Sequence, residues 1–269
     1  MSEEAPWQEV GDRVYVRRHR SYDLNVGLVV GDDQCLVLDT RMSHREAADL
    51  IQAIRRITPL PWTVVNSHAH FDHHFGNAMF KPAEIWAHAR AAAEIERIGE
   101  EQKAAVLGFI EEERRAEVEE VEIVPPDQVF TDRATLDLGG RLAHLRYFGR
   151  GHTDNDIVLH VPDAEVIFAA DLVEEGAPPS FGDAFPLDWA DTTTAMLAEL
   201  PGDTVVPGHG AVVDRAFVAA QAAELREMAD LARRAHVEGL RDLIRKAPFP
   251  EDFANTAIQR AFLQLDGDL

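Results

Sequence analysis

NSHAHFDHHFGN, residues 66–77, sets four histidines and an aspartate within seven positions, His68 to His74. Imidazole nitrogens and carboxylate oxygens are the usual ligands of catalytic zinc, at about 2.0–2.2 Å. His68 and His70 are two apart, and residues so spaced in extended backbone point to the same side. Both can therefore hold one ion. Asp72 and His73 follow where the chain must turn towards Gly76, so they can face a second position. Just upstream, WTVVNS (62–67) reads as a buried strand from its apolar run. The ligands thus begin where a strand ends, and irregular backbone there can converge on a cleft. The pattern His-x-His-x-Asp-His arises in roughly one shuffled sequence of this composition in 500. A histidine-rich surface loop with adventitious metal binding is the competing reading, and the rest of the chain decides between them.

Two metals need more ligands than one loop supplies. GRGHTDND (149–156) offers His152 in a glycine-flanked turn before a strand. IFAAD offers Asp171 at a strand's end, and VPGHG offers His209 in the same setting. Each can reach a common cleft. His19, His44, His74, His88, His144, His160 and His236 lack that setting, and a surface or core role suits them better.

The surrounding pattern is mixed. Residues 13–18, 24–31 and 34–40 read as short β-branched strands, and Ser43 caps a helix to about residue 57 with Glu46 at the capping-box position. A strand at 84–88 precedes an acidic helical insertion at about 89–118, with Ile95, Ile98, Val106 and Ile110 near helical spacing. Strands resume at 135–139, 141–148, 156–162 and 165–171. A helix at 188–200 leads to a strand at 204–210, and a helical extension runs from about 214 to 269. This order suggests two αβ halves whose sheets pack face to face with helices outside. VVNSHAH and VVPGHGA, each with histidine just beyond a Val-Val strand, hint at a pseudo-repeat.

Composition narrows the function. The chain has 269 residues, 46% of them apolar, which allows a large core. Its 48 acidic and 26 basic residues leave a net charge of −22. Such a surface repels nucleic acid and anionic membrane, so neither is an expected partner. The single cysteine, Cys35, can form no internal disulfide. The N-terminus lacks the apolar core of a signal peptide, and no apolar run approaches the ~20 residues of a membrane helix. A cytoplasmic location is expected.

The order HAHFDH, GHT, AAD and GHG resembles the metallo-β-lactamase superfamily over most of residues 10–215. The resemblance implies a four-layer αββα sandwich of two mixed sheets with outer helices, here as one domain over residues 1–269. It implies that His68, His70 and His152 hold a first metal and that Asp72, His73 and His209 hold a second, with Asp171 bridging. Two zinc ions are expected, with iron or manganese as substitutes. Metal binding lowers the pKa of water towards ~7, so a bridging hydroxide would attack a carbonyl or phosphoryl centre. Asp72 would orient it and carry its proton to the leaving group. Asp39, in LVLDT, reads either as a group that orients a ligand or as a turn cap. The pair Gly76-Asn77 also matches the family's supporting positions.

The resemblance is poor at naming a substrate. The best-known lactamases of the family use cysteine where Asp171 stands, and a lysine shortly after it, where this chain has Glu174 and Glu175. Its lactonases carry a tyrosine near that point, and none is present. Glyoxalase II-like members bind glutathione through C-terminal basic residues, but Arg233, Arg234, Arg241 and Arg245 read as helix surface. Nuclease members need a basic surface. Diiron oxidoreductases of this fold have glutamate at the place of His70. GAPPSFGDAFPLDW (176–189) reads as an apolar wall beside the metals, through Phe181, Phe185 and Trp189; the alternative is a loop tethered to the core by its aromatics. The turn around Tyr22 and the acidic insertion would form the other wall or a lid. The expected function is zinc-dependent hydrolysis of a small ester, thioester, lactone or amide. Weak class B-like β-lactamase activity and a mononuclear non-haem iron dioxygenase are the alternatives.

Overall fold

The computed structural model describes residues 6–238 and 244–269; residues 1–5 and Arg241 lie outside the described residues. After a short β1 (Gln8–Gly11), the β-branched runs form β2 (Val14–Arg18), β3 (Asn25–Val30) and β4 (Cys35–Leu38), all paired antiparallel. Helix α1 (His44–Ile57) starts where the Ser43 side chain accepts from the Glu46 N–H at 3.2 Å. It carries the chain back so that β5 (Trp62–Val65) joins β4 in parallel. A single turn, α2 (Phe71–His74), holds the centre of the histidine stretch. β6 (Ile85–His88), helices α3 (Ala89–Phe109) and α4 (Glu112–Glu119), and β7 (Gln128–Phe130) complete a seven-stranded mixed sheet in chain order.

The second sheet begins as an antiparallel meander of β8 (Arg133–Asp137), β9 (Leu142–Arg146), β10 (Val158–Val161) and β11 (Val166–Glu174). Helix α5 (Pro186–Glu199) crosses over to β12 (Thr204–His209), which pairs parallel to β11. Helices α6 (Arg215–Glu238) and α7 (Glu251–Asp266) follow.

Three cores fix the layers. Val16, Leu36 and Val65 meet Leu145, Leu159 and Phe168 between the sheets. Leu50 and Ile54 of α1 cover Leu28, Val37 and Val64 on the first sheet's outer face. Trp189, Met196, Leu225 and Ile258 cover Ile167, Ala169 and Val173 on the second's. The architecture is the expected αββα sandwich. The edge strands β1 and β7 were not expected from the sequence; their residues are mostly half-buried or exposed and leave little apolar pattern. The insertion is two helices rather than one, because Ile110 and Glu111 are extended between them. Ile95 and Val106 are buried while Ile98 is half-buried. No helix among the described residues is long and apolar enough to cross a membrane.

The sheets are stitched together where the histidine stretch begins. Ile157 N–H donates to the Ser67 carbonyl at 2.9 Å, and Leu24 forms a β-bridge with His209. Five of the seven described non-glycine residues with positive φ lie on segments that carry or back this region: Tyr22 (59°), Asp23 (58°), Asp39 (68°), Arg41 (77°) and Ala170 (46°). At Ala170 the register of β11 against β12 shifts, and the next residue is Asp171.

Candidate metal centre

The strand end, the α2 turn and three distant segments converge as their settings predicted. Donor atoms of His68, His70, His152 and Asp171 lie within 4.8 Å of one another, and so do those of Asp72, His73 and His209. Asp171 stands between the sets. One carboxylate oxygen is 3.4 Å from His152 Nε2, 3.7 Å from His68 Nε2 and 3.1 Å from His209 Nε2, and the other is 3.4 Å from His73 Nε2. Asp72 Oδ2 is 3.6 Å from His209 Nε2 and 3.7 Å from His73 Nε2. All seven residues named from the sequence as ligands are brought together.

A close approach makes this possible. A Cβ on Gly208 would stand 1.7 Å from Asp171 Oδ1, so only glycine leaves room for the carboxylate.

Four of the five histidines of the cluster are held by their far side. His73 Nδ1 bonds Asp39 Oδ2 at 2.8 Å, and Asp39 also accepts from the Ser67 N–H and hydroxyl, both at 2.8 Å. Asp39 is therefore the orienting group. His68 Nδ1 meets Ser67 Oγ at 3.0 Å. His209 Nδ1 donates to the Tyr22 carbonyl at 2.6 Å, which turns Nε2 onto Asp171 Oδ2, 3.1 Å away. His70 turns its Nδ1 to the cluster, 2.9 Å from His152 Nε2, while its Nε2 donates to Asp183 at 2.8 Å. Asp183 and the Tyr22 carbonyl were missed in the sequence. Fixing the tautomer from behind is what a metal-ligating histidine requires.

The donor set fits a cation. His68 Nε2, His73 Nε2 and Asp171 Oδ1 are buried without a hydrogen-bond partner, an arrangement that is costly unless something binds there. Burial and neighbouring His73 push the His68 pKa well below 6.5. At His73 burial also opposes charge, but Asp171, Asp72 and Asp39 outweigh it and hold its pKa well above the ordinary value.

A cleft of about 820 Å³ opens beside the cluster, lined by Tyr22, Phe71, Val106, Phe109 and Gln102 on one side. Tyr22 lies where it was expected. The wall expected from Phe181, Phe185 and Trp189 is absent. Phe181 and Trp189 are 2% and 0% exposed in the core beneath α5, with Trp189 Nε1 bonded to the Leu172 carbonyl at 3.1 Å. Trp189 reaches the centre only as a backing for the His152 ring, at 5.6 Å. Phe185 lies under the guanidinium of Arg150, 4.5 Å away. The tethered-loop alternative is the observed one: the segment's aromatics are consumed by packing against α5 and α7. The apolar wall comes instead from Phe71, inside the histidine stretch, and from Phe109 of α3. Glu174 is buried on the cleft floor, where Ser180 N–H donates to it at 3.0 Å, and burial with the nearby Asp171 raises its pKa to about 8.

The family model of the metallo-beta-lactamase superfamily matches residues 23–209. The chain belongs to the metallo-beta-lactamase superfamily. A type 2 metallo-beta-lactamase of Bacillus sp. (strain 170) is 27% identical over 203 residues, covering 71% of this chain and 69% of that protein. The human acyl-coenzyme A thioesterase MBLAC2 is 26% identical over 227 residues, covering 75% and 80%. The crystal structure of the DIM-1 metallo-beta-lactamase superposes with a TM-score of 0.66 at 19% identity, over 84% of this chain and all of that one. This superfamily member is a metal-dependent hydrolase with a candidate metal cluster.

Proposed function

We propose that residues 1–269 form one hydrolase domain that holds two zinc ions and cleaves small carboxylic esters and thioesters. The observation that carries this reading is the pair of opposed donor sets with Asp171 between them, each with imidazole nitrogens left bare by partners behind the rings. His68, His70 and His152 would hold one ion and Asp72, His73 and His209 the other, shared through Asp171. Bound zinc makes water acidic enough to ionise near neutral pH and polarises the acyl oxygen. The chain's own part is geometric and protonic. Asp39, Ser67, Asp183 and the Tyr22 carbonyl hold the imidazoles in one tautomer. Asp72, nearly buried but facing the cleft, takes the proton of the attacking water on a carboxylate oxygen and passes it to the leaving group. The aromatic wall receives the apolar part of the substrate.

Ester and thioester chemistry is favoured by the thioesterase relative and by the uncharged aromatic wall. β-Lactam hydrolysis is a second reading, favoured by the Bacillus relative. Against it stands a cleft lined by Glu174 and Glu175 and, among the described residues, by no lysine or arginine, which gives a drug's carboxylate no basic side chain to bind. Metal analysis of protein purified without added metal tests the centre: about two zincs per chain are expected, and one iron would turn the reading to a dioxygenase. A panel of aryl esters, short acyl thioesters, lactones and cephalosporins tests the substrate class, and a cephalosporin turned over faster than every ester and thioester would overturn it.

A further inference from the structure

The lining of the cleft has two chemistries. One is aromatic: Tyr22 stands edge-on to Phe71 at 5.2 Å, and Phe71 edge-on to Phe109 at 6.0 Å. Tyr22 is 39% and Phe109 61% exposed, so this row leaves apolar surface bare at the mouth. The other is acidic. Asp23, Asp72, Asp171, Glu174, Glu175 and Asp183 line the cleft, and among the described residues no lysine or arginine does. Glu174, held largely protonated near neutral pH by its burial beside Asp171, adds little charge, and two divalent ions would offset at most four of the other five carboxylates. Arg18 answers Asp23 from outside, bonding both its oxygens at 2.5 and 2.7 Å. Glu175 is held by a neutral donor, the Ala211 N–H at 2.6 Å, which leaves its charge in place.

Aromatic faces beside carboxylates attract an organic cation. The ring quadrupole draws it in and favours its desolvation, and the acidic field raises its local concentration. The same lining repels a phosphate-bearing carrier. Resting on the hydrolase reading above, we infer that the cleft selects acyl substrates that carry an organic ammonium group on an apolar body. A coenzyme A thioester, named for the human relative, would bring phosphates against this lining and is disfavoured.

The test uses metal-loaded protein and thiol release from matched thioacetates: acetylthiocholine, its neutral isostere 3,3-dimethylbutyl thioacetate, a carboxylate analogue and acetyl-coenzyme A. The expected kcat/KM for the cation exceeds that of the isostere by about tenfold, the scale of one desolvated cation–π contact. The carboxylate and acetyl-coenzyme A should be slower than either, and the cation's advantage should shrink as salt rises. Tyr22→Leu, which keeps the backbone carbonyl that holds His209, and Glu175→Gln should each bring the cation-to-isostere ratio towards one. The ratio is the readout, because both residues face the cleft and absolute rates will move. Calorimetric titration with choline and with neutral 3,3-dimethylbutanol measures recognition apart from turnover. Tighter choline binding without cleavage of any thioester would sink the hydrolase reading and leave the inference standing. Equal binding of the two alcohols, or a preference for the carboxylate or for acetyl-coenzyme A, overturns the inference.

Discussion

Asp183→Ala separates the two metal positions. Asp183 Oδ2 accepts from His70 Nε2 at 2.8 Å, which keeps the proton on that nitrogen and leaves Nδ1 for a metal. Without the carboxylate both tautomers are available and the ring is free to turn. Loss of such a partner lowers metal affinity about 10–100-fold. The Asp183 side chain is 51% exposed, so water already screens the pair. The expected loss is at the low end, about tenfold or ~1.4 kcal/mol. It should fall on the position made by His68, His70 and His152 and spare the one made by Asp72, His73 and His209. Titration against a chromogenic chelator resolves the two affinities. Metal-free protein gives a second readout. Burial opposes charge on His70, but Asp183 raises its pKa to about 9; His70 in turn lowers Asp183 to about 2 against the same opposition. The histidine's contribution to stability is then complete below its unfolded value of 6.5 and fades as pH rises through about 9. The aspartate's is present above its unfolded value of 3.8 and is lost as pH falls through about 2. In chelator, the wild type should exceed the variant in stability most between about pH 4 and 6.5, and the two should converge above about pH 9. Equal loss of affinity at both positions, or none at either, would refute this role for Asp183.

Asp72→Asn should keep both metals, as read by elemental analysis, while turnover falls by on the order of 10²–10⁴; a near-normal rate would mean that another group moves the proton. Gly208→Ala sets a methyl where Asp171 Oδ1 lies, so metal content should drop sharply while the far-ultraviolet circular dichroism stays native. Trp189→Ala should destabilise the fold by about 3–5 kcal/mol in denaturant titration, as for other buried aromatics. Lost activity with unchanged stability would return Trp189 to the cleft wall.

The parts of the site legible in the sequence are those that local backbone makes. His68, His70, Asp72 and His73 follow one strand end, His209 sits beside glycine at another, and His152 sits beside glycine in the loop between β9 and β10. Asp39 was legible only as one of two options, since an aspartate after a strand caps turns as readily as it orients a ligand. Asp183 was hidden because its partner is 113 residues away and nothing local marks it out from other loop aspartates. The Tyr22 carbonyl was hidden more deeply, since every residue has one. The misplaced wall has the same cause. Phe181 and Trp189 follow Asp171 closely, but their burial depends on how α5 and α7 cover β11, and helix docking leaves no trace in a fourteen-residue window. Phe71 carries no local mark of its role, since it sits among side chains that all read as ligands.

The left-handed residues around the cleft bear on any redesign of this scaffold. Side chains held in that conformation carry strain on the order of 1–3 kcal/mol each, and glycine would relieve it. At Asp39, with φ 68°, glycine would remove the carboxylate that orients His73. At Ala170, with φ 46°, glycine removes only a methyl but frees the backbone that aims Asp171. A procedure that ranks substitutions by backbone strain alone would choose these positions early and dismantle the centre, at Asp39 also stranding the buried donors of Ser67 and His73. For this molecule, relief of backbone strain is a misleading guide to whether a variant still works.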